Sequence, residues 1–196
     1  MAKPSKRVEH RITDAEFERF AEEFKNESDR AAVVLGGAQL DLLLYQLLEA
    51  FLLPVTSGKD ELLEGDSPLA TFSARINVSY RLGLVDEDLA RALHLVRKIR
   101  NSFAHEISSA SLAAGAHRDR VRELVLPFAG NWALREMLDR CFDGEETAGA
   151  QFRACIAVMS LRLDGAIGRV VRVSRERAES LCPPNKEEES APEQKE

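Results

Sequence analysis

The apolar run from Ala31 to Leu53 constrains this chain more than any other feature. Read as SDRAAVVLGGAQLDLLLYQLLEAFLL, it is apolar on nearly every side of a helix, so it has to be surrounded by other elements. It makes a poor membrane span because Gln39, Asp41, Gln46 and Glu49 interrupt it. A carboxylate at the centre of a bilayer costs roughly 2.5–3.5 kcal/mol on insertion scales. The expectation is the central helix of a soluble bundle, capped by Ser28 and stopped at Pro54. Gly36 and Gly37 inside it cost about 1 kcal/mol each relative to alanine, which makes sense where another helix passes close to the backbone.

The remaining segments have helical period throughout, with no alternating strand pattern and no internal repeat. Thr13 followed by Glu16 is a capping-box pattern, and Phe17, Phe20, Ala21 and Phe24 form the apolar stripe of a short helix. Ser67 and Pro68 predict the start of a helix through Phe72, Ile76 and Tyr80 that ends at Gly83. Asp86 caps the next, whose buried side is Leu89, Leu93, Val96, Ile99 and Phe103. Arg118 to Cys141 reads as partly helical, broken at Pro127 and Gly130. The last helix, Glu146 to Leu181, carries a heptad seam of Phe152, Ile156, Met159, Leu163, Ala166, Val170 and Val173. That seam is either bundle core or part of a dimer surface. Arg162, Arg169 and Arg172 lie near one another on this helix, extended by Arg175 and Arg177, as a candidate interaction face.

With 196 residues, one domain is expected. The organisation read from the chain is a flexible basic segment 1–12, a helical domain 13–181, and a disordered acidic tail 182–196 that opens on a double proline. Against 33 acidic residues stand 27 Lys and Arg, so a nucleic-acid contact would need a local basic patch. Cys141, Cys155 and Cys182 lack CxxC spacing, which suits reduced thiols in a cytosol and gives no zinc pattern. No P-loop, GxGxxG or HExxH is present, so no cofactor and no metal are expected. The basic N-terminus has no apolar core behind it, and a cytoplasmic location without membrane attachment is the expectation.

One string stands out, LHLVRKIRNSFAHE, which puts Arg100, Asn101 and His105 at a helix end. In order, ESDRAAVVLGGAQLDLLLYQLLEAFL, SPLATFSARINVSYRLGLV and this string resemble the mannitol operon repressor family of bacteria, from about Glu27 to Glu106 and more weakly toward Leu181. The resemblance implies an all-helical cytoplasmic protein associated with transcriptional repression, without a DNA-binding module of its own. The same string resembles the RNxxxH motif of the HEPN superfamily of helical domains. Many of those are metal-independent ribonucleases whose motif Arg and His, often from two protomers, form the active site. Carried over, Arg100 would be that arginine, Asn101 the polar residue after it and His105 the histidine. A histidine can move the 2′-hydroxyl or leaving-group proton, while a fixed arginine stabilises the charge gained by the phosphorane.

The structural alternative gives the same residues other duties. Arg100 would pair with a buried carboxylate, Asp41 or Asp29, and His105 would bond the last carbonyls of its helix. Asn101 and His105 are one turn apart, whereas Arg100 points elsewhere, so a site needs a frayed end or a second subunit. His10, His94 and His117 fall on separate segments and read as packing or surface residues. The pair of helices around Gly83 has the order of a helix-turn-helix, but the second begins with Asp86, Glu87 and Asp88, which would face the phosphates. The whole is expected to be an all-α, HEPN-like single multi-helix bundle with a long C-terminal helix. It would form a homodimer and work through a protein partner such as a DNA-binding regulator. RNA enters only under the ribonuclease alternative.

Overall fold

A computed structural model describes residues 22, 24–55, 58–106 and 110–174. Among them are six α-helices and a single 3-10 turn, with no strand: α1 Asp29–Phe51, α2 Phe72–Arg81, α3 Glu87–His105, α4 Gly115–Val125, the 3-10 turn Leu126–Phe128, α5 Trp132–Phe142 and α6 Ala148–Arg169. The all-α expectation is met. Thr13, Glu16 and most of the stripe beginning at Phe17 lie outside the described residues, as do Arg175, Arg177, Cys182 and the acidic tail.

Short polar side chains set the helix starts. Ser28 accepts from Ala31 N–H, Thr71 from Ala74, Asp86 from Leu89, Asn131 from Ala133 and Thr147 from Ala150. Each satisfies one of the amides that a helix leaves open in its first turn. α1 and α6 form the central pair, with α3 and α2 against α1, and α4 and α5 against α6. The two glycines mark close approaches on adjacent sides of α1. A Cβ on Gly36 would lie 3.1 Å from Ile156 of α6, and one on Gly37 would lie 2.8 Å from Cδ of Arg100 on α3.

Two boundaries differ from the sequence reading. α2 starts at Phe72 and not at Ser67, because residues 60–70 fold into turns. Asp60 accepts from the Leu62 and Leu63 amides, and Arg75 reaches back from α2 to the carbonyls of Leu69 and Leu63. That arrangement buries Leu63 and leaves the segment non-helical. The last helix ends at Arg169, well before Leu181, because the chain then turns across the C-terminal end of α1. There the Val173 amide donates to the Phe51 carbonyl, and Arg172 donates to the carbonyls of Ala50 and Glu49. These fill acceptors that a helix end leaves open.

The seam residues Phe152, Ile156, Met159 and Leu163 are buried in the chain's own core, while Val170 and Val173 lie beyond the helix. Of the two readings of the seam, bundle core or part of a dimer surface, the first holds for these four residues. Arg162, Arg169 and Arg172 do not form one helical face, since Arg172 has left the helix to hold α1.

Candidate functional site

α3 ends at His105 because the next carbonyls are taken from outside the helix. Arg30, near the start of α1, donates from Nη1 to the Phe103 carbonyl at 2.7 Å and from Nη2 to the Glu106 carbonyl at 2.6 Å. The Glu106 carboxylate meets Nε2 of buried His117 on α4 at 2.7 Å, and the His117 ring lies 4.5 Å from that of Phe103. The end of the motif helix is thus clamped from two sides.

The carboxylates expected to serve Arg100 have other partners. Asp41 is 2.7 Å from Arg75, whose guanidinium also covers the Tyr45 ring at 5.2 Å. Asp29 is 3.3 Å from Arg153 and also accepts from the Leu112 amide at 2.9 Å. Arg153, buried on α6, donates further to the carbonyls of Phe24, Glu27 and Gly149. Both structural duties assigned to the motif from sequence are therefore performed by different residues. Arg75 and Arg153 neutralise the carboxylates, and Arg30 caps the helix where His105 was expected to.

Arg100, Asn101 and His105 are left without a side-chain hydrogen bond or ion pair among the described residues. Asn101 and His105 are exposed, and Arg100 is half-buried with its aliphatic stem over Gly37. Five positions along a straight helix set Arg100 and His105 roughly 140° apart in projection. The fold does not bring these two together within one chain.

His94 lies one helix-face over, with Nε2 at 2.9 Å from the Asn77 side-chain oxygen of α2. Burial first, then the charges of Arg97 and Lys98, lowers its pKa. His117 packs as the sequence reading had it, although its bond to Glu106 was not foreseen; His10 lies outside the described residues. Arg30, Arg75 and Arg153 are the residues that sequence reasoning missed. Apart from Leu69 and Gly149, their partners are 12 to 129 positions away, and no local spacing could signal them.

A cavity of about 340 Å³ opens at the start of α6 between Lys25, Asp29, Glu145, Thr147 and Arg153. Its arginine is the structural one just described, fully occupied by neighbouring oxygens. Among the described residues no three His, Cys, Asp or Glu side chains gather as a metal site. No protein-family model, curated protein or solved structure matches the chain. The resemblance to the mannitol operon repressor and HEPN families therefore rests on the quoted residues alone.

Proposed function

We propose that this chain is a non-enzymatic regulator of the mannitol operon repressor type. It works in the cytoplasm through a protein partner that docks around the C-terminal half of α3. The observation that supports this reading is that Arg100, Asn101 and His105 have no side-chain partner among the described residues, with Arg100 diverging from the other two. A docking surface needs only that its groups be reachable, whereas acid–base catalysis needs them convergent on one reacting atom. The partner is what reaches DNA: the α2–turn–α3 unit would lead into a groove with Asp86, Glu87 and Asp88.

The second reading, a HEPN-like metal-independent ribonuclease, is favoured by the same freedom from structural duty, since Arg100 and His105 of two chains would then meet across a dimer. One comparison separates the two. Transcripts are measured in the native host without the gene, and after its return as wild type or as the Arg100→Ala/His105→Ala variant. The regulator reading expects a defined set of genes to rise on deletion and to be restored by wild type but not by the variant. Unchanged transcripts would refute it. So would cleavage of single-stranded RNA by the purified wild type without metal, abolished by either single substitution.

A further inference from the structure

The last three turns of α3 carry Arg97, Lys98 and Arg100 with no acid before Glu106, whose carboxylate is bound to His117 at 2.7 Å. The Nε of Arg97 is buried without a hydrogen-bond partner, and the Arg100 guanidinium meets no acceptor among the described residues. Neither guanidinium is neutralised among the described residues, and a ligand that brings carboxylate oxygens would pair with their reachable nitrogens. Asp41, on the adjoining helix, cannot supply them because Arg75 holds it at 2.7 Å. In a chain of net charge −6, this is a local positive strip that the fold itself does not neutralise.

Beside the strip lies uncovered aliphatic surface. Val34, Leu35 and Leu42 of α1 are 43%, 46% and 49% exposed. Val34 precedes by one helical turn the Gly37 over which the Arg100 stem runs, so the apolar face and the strip adjoin. Scattered exposed leucines mean little, but an apolar arc whose Val34 edge adjoins the Arg100 stem has the make-up of an interface: apolar contact with arginine at its edge.

We propose that this surface docks an acidic amphipathic segment of a partner protein, with its carboxylates on Arg97 and Arg100 and its apolar side chains on Val34 and Leu42. The inference rests on the protein-contact reading above and names the partner's chemistry. Arginine takes carboxylates in bidentate pairs, which fixes register as well as adding attraction. Single-stranded RNA is the less suited ligand. Its bases need rings to stack on, and the one ring on this arc of α1, Tyr45, is covered by Arg75.

The test is selection of a random peptide library displayed on phage against the full chain, followed by fluorescence anisotropy of the enriched peptides. Enriched sequences should alternate Asp or Glu with Leu, Ile or Phe at helical spacing. They should bind at least about tenfold more weakly to Arg97→Gln/Arg100→Gln and measurably more weakly to Leu42→Ser, at unchanged melting temperature. Should the glutamine variant fold poorly, Arg97→Glu/Arg100→Glu should instead gain affinity for the same peptides with lysine in place of their acids. Enriched peptides without acids, or acidic peptides indifferent to the arginines, overturn the proposal. So does binding of a twenty-nucleotide RNA or of phosphatidylserine vesicles that the arginine variants abolish while peptides do not bind. A self-association lost with the arginines would assign the face to a second copy, which also overturns it. Acidic peptides that bind as expected in a protein whose deletion leaves transcripts unchanged would sink the regulator reading and keep the docking surface.

Discussion

Arg100 has a carboxylate-bearing helix beside it and still makes no ion pair, whereas Arg75 and Arg153 make the two that matter to the fold. Removing Arg75 leaves Asp41 partly buried without its cation. The pair is 13% and 23% exposed, so the loss should lie below the roughly 3–5 kcal/mol of a fully buried pair. Arg153→Ala should cost more, because it strands Asp29 and three carbonyls in one step. Urea titration of the two variants would check this order, and an Arg153→Ala protein as stable as wild type would contradict it. Cys155 offers a pH test. Burial pushes its thiol up from 9.0 to about 12, so the folded chain keeps a proton that the unfolded chain has released above pH 9. The unfolded state then binds fewer protons, and this group's contribution makes stability fall as pH rises from about 9 toward 12. Cys155→Ala should remove that part of the decline in melting curves taken across the window, and wild-type Cys155 should resist alkylation while the chain is folded.

At the scale of elements, the two glycines of α1 should behave differently although they are neighbours. Alanine at Gly36 presses on Ile156 and on the Phe24 ring inside the core, and overpacking of that kind costs about 1–3 kcal/mol. Alanine at Gly37 meets only the movable stem of Arg100, and the gain of about 1 kcal/mol in helix propensity offsets the shift. Thermal melts of Gly36→Ala and Gly37→Ala should show the first lower and the second near wild type. The close approach at both glycines was legible in the sequence, as were the caps at Ser28 and Asp86 and the breaks at Pro127 and Gly130, because each is written within a few residues. The end of α6 was not legible. Its heptad pattern continues to Val173, but open carbonyls at the end of α1 draw the chain out of the helix at Val170, a competition between elements far apart in sequence. The same holds for the site: the motif residues could be found from their spacing, while the arginines that relieve them of structural work could not. The α2–turn–α3 unit carries its own prediction. Mobility-shift titration with duplex DNA should show no sequence-dependent complex that survives added salt, and one formed at submicromolar protein would contradict the acidic-tip argument.

For the whole molecule, α1 is the decisive element. It is long and apolar enough to cross a membrane by length and composition, yet half of its most apolar window is enclosed by the other helices. What remains uncovered on α1 is the arc of Val34, Leu35 and Leu42, whose Val34 edge adjoins the Arg100 stem. The central claim is that Arg100 and His105 serve a surface and not the fold. Differential scanning calorimetry of the Arg100→Ala/His105→Ala double variant tests it most directly. In a chain of this size 1 kcal/mol moves the melting temperature by about 2–4 °C. The account predicts a melting temperature within about one such step of wild type. A drop of about 8 °C or more, the scale expected when a buried ionic partner is removed, would show that the motif holds the fold together after all.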